Sequence, residues 1–316
     1  MIQEFLKHIE SERRYSVLTV RNYRRDLEAF DLWRRAAVTE RIEQALQNGE
    51  ICTDNPEITG TTSEDIRNWI IHRTDIDKIS PASMNRELST LRSFFKFLRH
   101  KGKINSDIFT HIGTLKRAKR LPSVVPESRI PQMLESTAEG VETGDFEQIR
   151  DALMVLMFYK CGLRLAELIG INTEDLSANY TSLKIRGKGD KERIVPIVDS
   201  VRTILNNYFD AIKGQKICNS REKALFLTTE GCRISRTRAY RTVRAALEGI
   251  GMPGKKSPHV LRHTFATQLL NSGADMRDIQ ELMGHASLSS TQIYTHNSIV
   301  QLQAAYAKAH PREDKN

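Results

Sequence analysis

Between residues 113 and 125 the chain carries four basic side chains, Lys116, Arg117, Lys119 and Arg120, and no acidic one, and prolines follow at Pro122 and Pro126. Proline fixes φ and pushes the residue before it out of the helical region, so this stretch predicts an extended basic linker. A chain of 316 residues divided there leaves two pieces, 1–112 and 126–316, each long enough to bury its own core. The first is close to neutral, with 18 basic and 17 acidic side chains, and the second holds 26 and 22. Over the whole chain the formal net charge is +9, which favours a polyanionic partner without naming a reaction. At 39% hydrophobic and 28% charged residues the composition excludes a disordered or collagen-like protein.

Residues 1–112 read as helical throughout. Phe5, Ile9, Val20, Tyr23, Leu27 and Phe30 recur at spacings of three and four, and Ser16 to Thr19 has the look of a helix start. A polar stretch near Asn48 to Thr62 interrupts the pattern. It resumes with Ile66, Trp69 and Ile70, then with Leu88, Leu91, Phe94, Phe95 and Leu98 along one face of a helix from Ser83 to Leu98. Arg86, Arg92, Lys96 and Arg99 fall on its other faces. After the linker a helix over Ile149 to Tyr159 is followed by Leu183-Lys184-Ile185-Arg186, the turn Gly187-Lys188-Gly189-Asp190, and Arg193-Ile194-Val195-Pro196-Ile197, a predicted β-hairpin. The rest is mostly helical. The expected fold class is therefore mainly α, with a small antiparallel sheet in the second domain. No apolar run approaches the roughly 18 residues of a membrane span, and Met1-Ile2-Gln3-Glu4 does not begin a secretory leader, so a cytoplasmic protein without membrane contact is expected. Cys52, Cys161, Cys218 and Cys232 are widely spaced without a CxxC, which predicts reduced thiols and no structural zinc.

Several polar residues of the second piece sit where a structural helix does not need them. Arg164 follows Gly162 at the end of an apolar helix, with Glu167 three residues on and able to hold its guanidinium. His259 and Arg262 lie at i and i+3 after Pro258, on one helical face. Gly284-His285 precedes Ser289 to Tyr294, where Ser289 and Gln292 have capping-box spacing. Taken singly, each is more readily a surface pair or a core residue than a site.

Their order changes that reading. An arginine, a lysine in a hairpin turn, HxxR, GH and then a tyrosine nine residues later resembles the signature of the tyrosine recombinase (phage integrase) family. Glu12-Arg13-Arg14-Tyr15-Ser16, Thr19 and Tyr23 to Leu27 look like the start of that family's SAM-like core-binding domain, and Ser83 to Leu98 like its other DNA-facing helix. Within the family the chain is most similar to bacterial Xer recombinases, through Gly162-Leu163-Arg164, Gly187 to Arg193 and Ala309-His310-Pro311-Arg312. The segment from about Ala36 to Thr62 is longer than the compact Xer pattern.

The resemblance implies Arg164, Lys188, His259, Arg262, His285 and Tyr294 as catalytic residues, with Glu167 behind them. The residue types suit the reaction. Metal-free cleavage of a phosphodiester needs a nucleophile, positive charge for a five-coordinate phosphorane and a proton for the leaving oxygen. Tyr294 offers a phenolate, and Arg164 and Arg262 are planar forks for the non-bridging oxygens, one such donor being worth about 3 kcal/mol. Lys188, by resemblance, protonates the departing 5′ oxygen, with Lys191 and Arg193 as nearby rivals. His259 fits a general base and His285 a donor to the phosphate. No metal or other cofactor is implied. Arg233, Arg236, Arg238, Arg241 and Arg244, in a predicted helix from near Ser235, resemble the family's major-groove helix. Arg86, Arg92, Lys116 and Arg117 are the other expected DNA contacts.

The implied partners are double-stranded DNA and further recombinase protomers, in a homotetramer or a heterotetramer with a paralogue on two sites. A septal DNA translocase or accessory protein is a further expected partner. Integration or excision of a mobile element is an alternative to dimer resolution. A type IB topoisomerase and a catalytically silent DNA-binding protein are the rivals from other classes; the silent protein is expected to lack one of the six residues, and none is missing.

Overall fold

The computed structural model describes residues 1–52, 54–116, 123–187, 192–217 and 222–284. The chain divides into two compact units, Met1–Arg120 and Leu121–Asn316.

The first unit is helical. Helix α1 spans Ile2–Ser11, α2 Val17–Gln47, α3 Ser63–Ile71 and α4 Pro81–His100, and a single π turn, His72–Ile76, prolongs α3. The starts have identifiable causes. Ser16 accepts the Thr19 amide at 3.3 Å, and Ser80 does the same for Ser83 at 3.2 Å ahead of Pro81 at the first helical position. Thr62 and Asp65 form a reciprocal capping box at the start of α3. The periodic residues meet in one core: Phe5, Ile9, Leu27, Phe30, Leu88, Leu91 and Phe94 are all buried. Phe5 lies edge-on to Phe94, with centroids 5.4 Å apart, and Phe30 edge-on to Trp69 at 5.7 Å. Phe5, Phe30, Trp69, Phe94 and Phe95 of the amphipathic pattern are thus core, with Tyr23 partly buried against them, each buried ring contributing about 2–3 kcal/mol.

The long segment from Ala36 to Thr62 resolves into two parts. Its beginning extends α2 to Gln47, and the described part of the remainder is a loop with one short 3₁₀ turn, Ile58–Gly60. That loop is tied down by Arg34, which is 1% exposed. Its Nη1 donates to the carbonyls of Pro56 and Glu57 at 3.2 and 2.8 Å, its Nη2 to that of Asn55 at 2.8 Å, and its Nε to Asp65 at 3.1 Å.

The second unit is built around α6, Phe146–Cys161, which is apolar on nearly every side and therefore central. Around it pack α5 (Ile130–Glu142), α8 (Asp199–Gly214), α9 (Arg236–Gly249) and α10 (Pro258–Asn271). The short α7 (Leu165–Gly170) follows α6, and α11 (Met276–Leu282) follows α10. Strands β1 (Ser182–Arg186) and β2 (Glu192–Pro196) pair antiparallel, with Leu183 opposite Val195 and Ile185 opposite Arg193. Arg233 does not belong to the expected arginine-bearing helix. It precedes α9 and donates to the carbonyls of Ile169 and Ile171, to Asn172 and to Glu222, which makes it a clamp between loops. No helix among the described residues is long and apolar enough to cross a membrane.

Candidate active site

Three elements of the second unit end at one place. Helix α6 stops at Gly162, whose φ of +60° is left-handed and whose absent side chain leaves room for Phe265: a Cβ there would sit 2.4 Å from that ring. Two residues later Arg164 caps α7. Helix α10 begins at Ser257 with Pro258 at its first position, which places His259 in the first turn and Arg262 one turn further. Strand β2 enters with Arg193 on the same side as the buried Val195.

Glu167 joins them. Its Oε1 accepts Arg164 Nη1 at 2.7 Å and Arg193 Nη1 at 2.9 Å, and its Oε2 accepts the Arg164 amide and Arg193 Nη2, both at 2.8 Å. Arg262 Nη1 lies 3.7 Å from the same carboxylate. Burial alone would push the Glu167 carboxyl up, but the hydrogen bonds and charge of Arg193, and then those of Arg164, hold it down at about 2. Burial, the neighbouring Arg164 and then Arg193 press on Arg262 in the opposite sense and bring it to about 10 against the attraction of Glu167, which still leaves it charged at neutral pH. Glu167 is the sole carboxylate ion-paired with these three arginines among the described residues, so three positive charges face one negative charge. The site carries an uncompensated formal charge of two.

The same guanidiniums hold the end of α11. Arg193 Nε donates to the Leu282 carbonyl at 2.8 Å, Arg262 Nη2 to that of Met283, and Arg164 Nη2 to that of Gly284 at 2.8 Å. These are three consecutive carbonyls, orphaned at a helix C-terminus, where positive charge also suits the helix dipole. Gly284, at φ +63°, permits the approach: a Cβ would lie 3.1 Å from Arg193 and 3.3 Å from Arg164. His285 is the next residue in the sequence. Arg262 also caps the Gly162 carbonyl, so it ties α6 to α11.

His259 is exposed, and its pKa is lowered, first by partial desolvation and then by His263, Lys255, Arg262 and Arg164. The neutral imidazole is therefore favoured at neutral pH. Of the expected site residues, Arg164, Glu167, His259 and Arg262 share this one neighbourhood. Lys188, His285, Tyr294 and, in the linker, Arg117 lie outside the described residues.

The expected DNA-contacting side chains among the described residues divide into two kinds. Arg86 chelates the buried Asp26 and Arg92 donates to the carbonyls of Ile112 and Gly113 at 2.5 and 3.3 Å. Arg238 reaches Glu147 and Asp151. Arg236 and Arg241 on α9 and Lys116 are exposed, with no ion pair to a described residue.

Arg193 is the residue the sequence left undecided, as a rival to Lys188. The signal was in the strand parity: Leu183 and Ile185 alternate inward, Val195 pairs with Leu183, and Arg193 shares that parity while Ile194 faces outward at 43% exposure. A charged residue on the inner face beside an apolar one on the outer face marks a buried ionic partner.

Residues 124–299 match the model of the phage integrase family, and residues 2–51 and 40–102 match that of the phage integrase N-terminal SAM-like domain. The chain belongs to the phage integrase family. Among its family relatives, tyrosine recombinase XerD of Lacticaseibacillus casei is 34% identical over 312 residues, covering 99% of each chain. Tyrosine recombinase XerC of Thermodesulfovibrio yellowstonii is 36% identical over 319 residues, covering 99% of this chain and 98% of the other. Among phage integrase folds of known structure, XerH site-specific recombinase bound to palindromic difH substrate, in a post-cleavage complex, aligns with a TM-score of 0.67 at 20% identity, over 97% of this chain and 84% of the other. A lambda integrase dimer bound to a core site aligns at 0.59 and 16% identity, over 93% and 98%. At these identities the solved structures establish the fold.

Proposed function

We propose that this protein is a site-specific tyrosine recombinase of the Xer type, which cuts and rejoins duplex DNA through a 3′-phosphotyrosyl intermediate. The observation that carries the reading is the surplus of positive charge at Glu167. Two uncompensated guanidinium charges, fixed by a carboxylate and a row of carbonyls, match the two negative charges of the phosphorane that a phosphodiester becomes under attack. A preorganised cluster of this kind costs no reorganisation when the transition state forms. The full-length similarity to proteins named XerC and XerD supports the Xer assignment.

In this mechanism Tyr294 Oη attacks phosphorus and loses its proton to neutral His259. Arg164 and Arg262 hold the non-bridging oxygens, assisted by His285. The 5′ oxygen leaves with a proton from Lys188, and the phosphotyrosyl bond keeps the energy needed to rejoin a strand without ATP. The freed 5′-hydroxyl attacks the partner duplex, forming and then resolving a Holliday junction. Residues 1–112 grip the duplex as the core-binding domain, the basic stretch 113–125 follows the backbone, and α9 enters the major groove with Arg236 and Arg241 as its free cations. Four protomers, alike or paired with a paralogue, assemble on two sites by exchanging a segment around residues 300–311. A septal translocase or accessory protein then sets when cleavage occurs.

The test is a suicide substrate: a duplex selected by the protein from a random-sequence pool, nicked beside the cleavage point, incubated with wild type and with Tyr294→Phe. A covalent protein–DNA adduct from wild type alone is expected. Tight, specific binding with no adduct from wild type contradicts the enzyme reading and favours a silent DNA-binding protein. Relaxation of supercoiled DNA without exchange between two sites contradicts the recombinase reading.

A further inference from the structure

Arg193 is 8% exposed and sits on the inner face of β2. All of its described hydrogen bonds go to the machinery of the site: two to Glu167, at 2.9 and 2.8 Å, and one to the Leu282 carbonyl at 2.8 Å. We propose that Arg193 is a positioning residue of the cleavage reaction, fixing the Glu167 carboxylate, and through it Arg164, against the end of α11 and the strand that follows Lys188. The proposal rests on the recombinase reading above.

The geometry carries it in two ways. A fork that occupies both carboxylate oxygens sets the plane of the carboxylate as well as its place, and the Arg164 guanidinium and amide then bind the same two oxygens. Arg164 is thus aimed by a group whose own orientation Arg193 dictates. The third bond ties this unit to the carbonyl row that leads into His285, so one side chain sets three parts of the site in register: the hairpin, α7 and the end of α11. A buried ion pair is poor at supplying stability, because apolar side chains of similar volume do as well or better. What such side chains do not supply is orientation, and a misplacement of about 1 Å at a reacting centre costs about 100-fold in rate.

Charge gives the test a signature of its own. Arg193 is the main partner that offsets the burial of Glu167, so without it the carboxyl rises from about 2 toward its ordinary range. Protonated Glu167 no longer aims Arg164. Single-turnover adduct formation on the selected, nicked duplex is therefore compared for wild type, Arg193→Met, Arg193→Lys and the double variant Arg193→Met/Glu167→Gln, in the full-length chain, alongside affinity for the uncut duplex and melting temperature. Arg193→Met is expected to cleave about 100-fold more slowly with affinity retained, and the deficit should deepen as pH falls toward the ordinary carboxylate range. The double variant should lose that added pH dependence, and Arg193→Lys, with a single point charge, should not rescue. Where Arg193→Met fails to fold, Arg193→Lys against wild type carries the same comparison.

A wild-type rate for Arg193→Met, rescue by lysine, or a deficit that is independent of pH and tracks the melting temperature overturns the proposal alone. Absence of any adduct from wild type overturns the recombinase reading and this proposal together.

Discussion

Each unit gathers arginines around a buried carboxylate, and the two clusters are balanced differently. In the first, Arg34 meets one carboxylate, Asp65, and three backbone carbonyls, and Arg41 adds a second cation to Asp65 that is itself balanced by Asp54. Two cations face two anions, and the charge closes. In the second, Arg164, Arg193 and Arg262 share Glu167, and the charge does not close. A neutralised buried arginine holds a loop in place. A cluster left positive, at the meeting of three element ends, is a place prepared for an anion. Both arrangements desolvate guanidiniums, so burial does not distinguish them; the balance of charge does.

The comparison can be broken at either end, and the largest effect is expected in the first unit. Arg34→Met leaves Asp65 buried with its main cationic partner gone, at a cost of about 3–5 kcal/mol. Both tryptophans, Trp33 and Trp69, lie in the first unit with centroids 5.2 Å apart, so denaturant unfolding followed by tryptophan fluorescence reads that unit alone. In the second unit Arg164→Ala should slow adduct formation about 10²-fold to 10³-fold with a much smaller loss of stability, read by calorimetric melting of the whole chain. An equal loss of stability in both variants, each read on its own unit, would erase the distinction.

A pH profile sharpens the comparison further. The His259 pKa is below its ordinary 6.5, so on acidification the general base is protonated only after pH has dropped past that value. Adduct formation should hold through pH 6.5 and decline below it, and His259→Gln should abolish that limb. Glu167, held at about 2, stays ionised throughout and adds no limb in wild type. Its folded value is depressed, so the stability it contributes is present above its ordinary 4.5 and is lost as pH falls toward 2. The smallest effects belong to the exposed cations of α9. Arg236→Ala and Arg241→Ala should each lower the salt dependence of DNA binding by about one ion and leave the rate of the bound complex alone. The same substitution at Arg238, already paired with Glu147 and Asp151, should do less.

The periodic helices, the starts at Ser16 and Ser235 and the hairpin were legible in the sequence because each depends on neighbours within a few residues, whereas the helix expected from Ser83 begins at Pro81 under a Ser80 cap. Ser16 starts α2, the core positions keep their spacing, and β1 and β2 alternate as the residues do. The Arg164 and Glu167 contact was legible for the same reason. What escaped were arginines whose partners are backbone carbonyls or distant side chains. Nothing in the residues around Arg34 announces that it gathers Asn55, Pro56 and Glu57, because a carbonyl is present at every position and carries no identity. The carbonyl row of Leu282 to Gly284 was hidden by the same uniformity. Arg233 was misread because its charge fitted the arginine series of α9, while its place ahead of Ser235 put it outside the helix.

Replacing the cleavable phosphate with a neutral methylphosphonate tests the central claim most directly, since it removes one negative charge from the substrate and changes nothing in the protein. If the uncompensated charge around Glu167 exists to meet that phosphate, Arg262→Ala should be far less impaired on the methylphosphonate duplex than on the ordinary one, measured as adduct formation relative to wild type. An Arg262→Ala variant equally impaired on both duplexes would mean that the cluster holds the ends of α6 and α11 together and does not serve the anion.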